Sequence, residues 1–129
     1  MAMKPKKRKV LVIDDDRPLA QLFASHLSQA GYLSLIGEDA MQGFMFAQRE
    51  LPDLILLDVM MPAGGGMAVF ERLAKSAKTA GIPVLVITAS TDPKVEADST
   101  AHGARAVLHK PVDKETLLKE VARVLDSVP

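Results

Sequence analysis

The sequence predicts an α/β fold, a doubly wound five-stranded parallel sheet with helices on both faces. Three observations predict it. Short continuous apolar runs at 10–13, 54–57 and 84–87 are built from Val, Ile and Leu and stop at polar residues. Strands buried on both faces have this look. Stretches with apolar residues at helical spacing lie between them. Strict alternation of the two patterns implies right-handed crossovers and a parallel sheet. Finally, each run ends in a residue with chemistry to offer, and a parallel sheet brings all such ends to one edge.

Bulk properties agree. The 129 residues make one domain with a core of its own, spanning the whole chain with its packed part at 9–126. Apolar residues make up 48% of the chain, which argues against disorder. Acidic and basic residues balance at 16 each, so net charge gives no reason to expect direct nucleic-acid binding. Cysteine is absent, which removes disulfides, thiolate catalysis and Cys-based metal sites and is compatible with the cytoplasm. No apolar run approaches the ~20 residues of a spanning helix, so membrane insertion is not expected. Residues 5–9, Pro-Lys-Lys-Arg-Lys, look like a nuclear-targeting run. A solvated basic lead-in to the first strand is the simpler reading, since short basic runs recur by chance.

The elements follow in order. Residues 9–13 form strand one and end in Asp14-Asp15-Asp16. Asp16 and Pro18 suit the cap and first turn of helix one, whose stripe is Leu19, Leu22, Phe23 and Leu27, and Gly31 stops it. Strand two, 32–36, is mixed in polarity and belongs near an edge. Helix two, 39–50, is apolar almost all round, so some of Met41, Phe44, Met45 and Phe46 must be exposed. Tolerance of single exposed apolar residues is the simpler expectation, and a partner is the other. Strand three, 54–57, runs into Asp58 and is followed by Pro62. Gly64-Gly65-Gly66 is a flexible turn opening helix three, with Met67, Phe70, Leu73, Ala74 and Ala77 inward. Strand four, 84–87, ends at Thr88. Helix four, about 93–102, has only Val95, Ala97 and Ala101 to bury and is expected to be short and weakly held. Strand five, 106–108, leads to His109-Lys110-Pro111. Asp113 caps helix five, with Leu117, Leu118, Val121, Val124 and Leu125 inward.

The strand ends therefore bring together Asp14, Asp15, Asp58, Thr88 and Lys110 from about a hundred residues of sequence. Clustered carboxylates repel and call for a cation. All-oxygen ligands favour a hard ion such as Mg²⁺, which uses one or two carboxylates and phosphate oxygens. Lys110 offers a point charge and Thr88 a hydroxyl. Such a set suits phosphoryl transfer, which needs positioning and charge neutralisation, with Asp58 as nucleophile. Taken singly these residues say less. An acidic triplet is more often a helix cap with a solvated turn, and Asp58 alone could be a loop cap.

The spaced set Val12-Ile13-Asp14-Asp15, Leu57-Asp58-Val59-Met60-Met61-Pro62 with Gly66 beyond, Ile87-Thr88-Ala89 and Lys110-Pro111 resembles the receiver domains of two-component response regulators, the CheY-like superfamily. The resemblance runs from Lys9 to Leu125. It implies a flavodoxin-like three-layer sandwich with strand order 2-1-3-4-5, strand one in the middle, and a cis Lys110-Pro111 bond. It implies that Asp58 accepts a phosphoryl group from a phosphohistidine on a sensor histidine kinase or phosphotransfer protein. It implies that Asp15, Asp58 and the Met60 backbone carbonyl bind Mg²⁺, with Asp14 acting largely through water. Thr88 and Lys110 would contact the phosphate, and small Ala89 would leave access to it. Output would run through protein contacts on the helix four, strand five, helix five face, because no effector segment follows in this sequence. A phosphorylation-dependent homodimer is compatible with this picture. The kinase, output partner and pathway are not written in the residues.

Two departures from the family pattern stand out. Val107 occupies the position, three before the lysine, where an aromatic switch residue is common. Gly65 replaces an Asp or Asn, making a looser loop beside the site. Met60 has an apolar side chain that cannot orient water, so self-dephosphorylation should be slow. Two competitors remain on sequence grounds. One is a haloacid-dehalogenase-type Mg²⁺ phosphohydrolase using Asp14 as nucleophile and Asp16 as acid/base. The chain is short for it, and Arg17-Pro18 is not the usual continuation. The other is a docking module that is never phosphorylated, which would be expected to lack one of the acidic or Lys positions. A flavin binder is disfavoured by the acidic turn after strand one, where a phosphate cradle wants free amides.

Overall fold

The structure, a computed structural model, describes residues 7–127. The basic run at 5–9 falls partly outside them. Eleven elements alternate as β1 (Lys9–Ile13), α1 (Arg17–Gln29), β2 (Leu33–Gly37), α2 (Ala40–Glu50), β3 (Leu54–Asp58), a 3₁₀ turn (Pro62–Gly64), α3 (Gly65–Lys75), β4 (Val84–Thr88), α4 (Pro93–Ala101), β5 (Ala106–His109) and α5 (Lys114–Asp126). All strand pairs are parallel, and their order is β2-β1-β3-β4-β5. β3 holds the centre of the sheet, with β1 beside it, so strand one is interior rather than central. β2 is an edge, as its mixed polarity requires.

The pleat divides the core in two. Val10, Val12, Leu54, Leu56, Leu85 and Ile87 face α1 and α5 and meet Phe23, Leu27, Leu117 and Val121. Leu11, Ile13, Ile55, Leu57 and Val86 point the other way, to Ala47 of α2 and Val69, Phe70 and Leu73 of α3. Alternate residues of one strand thus serve opposite layers. Burying each such aliphatic side chain is worth about 1.5–3 kcal/mol, so five-residue strands suffice.

Caps set the helix starts. Asp16 accepts from the Leu19 amide, Asp39 from Gln42, Asp92 from Lys94 and Asp113 from Thr116. α1 turns its apolar stripe slightly from the expected one: Ala20, Phe23 and Leu27 are buried, whereas Leu22 is 49% exposed. The phase of a 13-residue helix is set by Phe23 and Leu27, and Leu22 lies off their line. In α3, Val69 joins Phe70 and Leu73 inside, whereas Ala74 and Ala77 are exposed, because the helix stops at Lys75 and the chain turns away. The three glycines are not a free loop. Gly64 has φ 71° and ends the 3₁₀ turn, and Gly65 and Gly66 form the first turn of α3. α4 buries only Ser99, as its sparse apolar pattern foretold.

Gly37 and Gly43 let α2 lie close on the sheet. A Cβ on Gly37 would come within 2.7 Å of the Gly43 Cα, and one on Gly43 within 2.8 Å of the Ile13 side chain. Among the described residues, no helix is long and apolar enough to cross a membrane.

Candidate functional site

β3 delivers Asp58 to the carboxyl edge of the sheet at its centre. All five β3 residues are buried, and Asp58 is the last of them. Its Oδ1 accepts from the Met60 amide at 2.8 Å, which orients the carboxylate back over the strand end. β1 delivers Asp14 beside it, buried also, with Oδ1 accepting from the Asp16 amide at 2.9 Å. Asp15 follows and is exposed. One carboxylate oxygen from each of Asp14, Asp15 and Asp58 can be chosen so that all lie within 4.8 Å of one another.

Lys110 enters from one residue beyond β5. Its amide donates to the Thr88 carbonyl at 2.8 Å, extending the β4–β5 ladder by one rung. Its Nζ lies 3.0 Å from Asp14 Oδ2 and 3.4 Å from Asp58 Oδ2. The following bond to Pro111 is cis. Thr88 is buried at the end of β4, and its hydroxyl accepts from the Ser90 amide at 3.0 Å while keeping its own proton to donate.

The electrostatics follow from this packing. Burial pushes the Asp14 carboxyl above its ordinary value, against the Asp16 amide and Lys110, and the Asp58 charge adds to the push. Burial pulls the Lys110 ammonium down, but its hydrogen bond to Asp14 and the charges of Asp58 and Asp14 outweigh that, and the net direction is up. One ammonium therefore faces two buried carboxylates, Asp14 and Asp58, with Asp15 beside them. The donor set is all oxygen, partly buried and open on the Asp15 side, which fits a hard divalent cation rather than a soft one.

Asp16 stands apart. It caps α1 from the surface and is outside the carboxylate cluster. A mechanism that needs Asp14 and Asp16 as a working pair has no support in this geometry. Gly66 is held where no side chain fits, since a Cβ would collide with the Asp58 carbonyl and the Val59 Cα. The start of α3 is thereby pressed against the strand end that carries Asp58, which is tighter than the looser loop expected around Gly65.

The family model for the response regulator receiver domain matches residues 10–122. The chain belongs to the response regulator receiver domain family. Protein PilH of Pseudomonas aeruginosa is 34% identical over 117 residues, covering 91% of this chain and 97% of PilH. The DNA-binding dual master transcriptional regulator RpaA of a Synechocystis strain is 36% identical over 124 residues, 94% of this chain and 52% of RpaA. This receiver domain thus spans nearly all of one relative and about half of the other. Among solved structures, the chemotaxis protein CheY4 of Vibrio cholerae superposes with a TM-score of 0.86 at 32% identity, covering 92% of this chain and 99% of that one. A CheY-like receiver domain protein from Methanospirillum hungatei superposes with a TM-score of 0.87 at 26% identity, covering 94% and 95%. Receiver domains are signalling modules of two-component systems, and the hydrolase alternative is not favoured. The three Asp residues form an acidic cluster of the kind at which receiver domains bind Mg²⁺.

One residue with a place in this network escaped the sequence reading. His109 closes β5 next to Lys110, with Nδ1 3.2 Å from the Ser90 carbonyl and Nε2 3.4 Å from Glu96 of α4. A histidine beside a lysine gives no signal of that reach. Only the fold brings the β4–α4 loop and α4 to it.

Proposed function

We propose that this receiver domain is phosphorylated on Asp58 by a partner that carries phosphohistidine, a sensor histidine kinase or a phosphotransfer protein. The observation that carries the reading is the placement of buried Asp58 at the end of the central strand, with the Lys110 amine 3.4 Å away and two further carboxylates beside it. An Asp58 oxygen attacks phosphorus, the phosphorus–nitrogen bond breaks, and the imidazole leaves with the electron pair. Asp14, Asp15, Asp58 and the Met60 backbone carbonyl are the candidate holders of Mg²⁺. The ion would neutralise charge on the incoming phosphoryl oxygens. Lys110 supplies a second positive charge, and the Thr88 hydroxyl a donor. Met60 offers attacking water no polar group, so the acyl phosphate is long-lived, and the chain is a switch rather than a metabolic enzyme.

The read-out cannot use an aromatic lever, because Val107 is where that lever would be. A path of polar contacts offers a substitute. The Ser90 amide donates to the Thr88 hydroxyl, the Ser90 carbonyl meets His109, and His109 meets Glu96. Rotation of the Thr88 side chain to bring its hydroxyl to a phosphoryl group would carry Oγ1 away from the Ser90 amide and loosen the β4–α4 loop and α4. The α4–β5–α5 face would then present an altered surface to an effector protein or to a second copy. We place this module in the cytoplasm, with no direct nucleic-acid contact and no membrane insertion, as a single unit over the described residues.

The test is incubation with acetyl phosphate and Mg²⁺, followed by intact mass. The wild type should gain one phosphoryl adduct and Asp58→Asn none. An unmodified wild type, or loss of the adduct on Asp14→Asn but not on Asp58→Asn, would sink the reading.

A further inference from the structure

α2 carries two exposed methionines that the core does not use. Met41 and Met45 stand one helical turn apart, 70% and 54% exposed, so they share a face instead of being scattered. The two phenylalanines beside them are half-buried and topped by cations. The Arg72 guanidinium lies 4.0 Å from the centre of the Phe44 ring and that of Arg49 5.0 Å from Phe46. Next to Met45 lies a shallow, open depression lined by Phe44, Met45, Gln48, Arg49 and Lys78. Its apolar wall is Phe44 and Met45, its rim is basic, and no carboxylate lines it. Met41 in turn borders a second shallow depression lined by Met61 and Pro62 and by the carboxylates of Asp15 and Asp39, so the ridge is acidic at its Met41 end and basic at its Met45 end, and the carboxylates of an occupant belong at the latter.

Among the described residues, the cations here lack carboxylate partners. Lys75 lies one turn beyond Arg72 on α3. Among the described residues, none of Arg49, Arg72, Lys75 and Lys78 has a carboxylate within 4.0 Å. Apolar side chains between unpaired cations form a recognition pattern of definite sign.

We propose that the α2–α3 face docks an acidic amphipathic helix of a partner protein. Its apolar stripe would cover Met41 and Met45, and its Asp and Glu side chains would pair with Arg49, Arg72 and Lys78. Charge complementarity selects this occupant. A second copy in a two-fold contact would set the same cations against each other. A helix can hold carboxylates at fixed places beside its apolar stripe, opposite Arg49, Arg72 and Lys78, which a lipid surface cannot. Methionine adapts its shape to such a guest. The surface is distinct from the α4–β5–α5 face, and the proposal stands whether or not Asp58 is the phosphoacceptor.

The experiment titrates the isotope-labelled chain with an amphipathic peptide bearing leucines at i, i+3, i+4 and i+7 with glutamates at its flanks. A twin with lysines for glutamates and vesicles of phosphatidylcholine with phosphatidylglycerol run beside it. Saturable binding of the glutamate peptide is expected, with amide shifts confined to α2, α3 and the turn at Lys78. Met45→Glu and the double variant Arg49→Glu/Lys78→Glu should each weaken it by about tenfold or more. Acetyl-phosphate labelling of both variants should match the wild type, which separates this surface from the site. Four results would overturn the proposal: equal binding of the lysine twin, no saturable binding up to about 1 mM, vesicle binding lost in the same variants, or self-association mapped to α2.

Discussion

Met60 shows how much one side chain beside Asp58 can decide. Its amide is spent on Asp58 Oδ1, while the residue is 52% exposed and its side chain carries no strong hydrogen-bonding group to hold a water. The phosphorylated chain should therefore keep its adduct for minutes or longer in Mg²⁺ buffer, and a half-life of seconds or less would contradict this. Met60→Asn, which can hold a water, should shorten the lifetime by about an order of magnitude, read by intact mass over time. Asp14, Asp58 and Thr88 were legible because each ends a run of apolar residues, and the strand fixes where its last residue lands; Lys110 follows its run by two positions. Asp16 was legible as a cap from its offset to Pro18. His109 was not, because its partners Ser90 and Glu96 lie in other elements and no spacing rule links them. Leu22 was misread because four leucine and phenylalanine residues in one helix allow more than one face, and only the sheet chooses.

α4 is the α-helix with least to hold it, with Ser99 as its single buried residue. Two histidines fasten it at opposite ends. His109 lies 3.4 Å from Glu96 near its start, and His102, at its C-cap, faces Glu71 of α3 at 3.1 Å. His109→Ala should still take the phosphoryl adduct. The change in α4 amide exchange that accompanies phosphorylation should shrink, and an unchanged difference would remove His109 from the path. The second contact gives a pH dependence. The Asp98 carbonyl at Nδ1 and the Glu71 carboxylate at Nε2 push the His102 imidazole above its ordinary value of 6.5. A raised value in the folded state means that the folded chain holds the proton more tightly. Its stabilising contribution is complete below pH 6.5 and is lost as pH rises through the folded-state value. The wild type should thus lose slightly more thermal stability across that window than His102→Gln. The difference is small because solvent screens the pair. The weakness of α4 was readable from its composition, but these two fastenings were not.

Taken as a whole, the molecule is three layers whose order was readable from alternation alone, while their spacing was not. The distance between the sheet and α2 is set by two missing side chains, at Gly37 and Gly43. Alanine at Gly37 would push against the α2 backbone, and alanine at Gly43 against the more yielding Ile13 side chain. Either substitution should cost about 1–3 kcal/mol, measured by denaturant midpoint. Once Gly37→Ala has lifted α2, the space that a Gly43 methyl needs is already open, so the double variant should lose less than the sum of the two. Additive losses would show that the sheet and helix yield independently. The two positions thus form an epistatic pair: a change tolerated poorly at one eases the way for a change at the other.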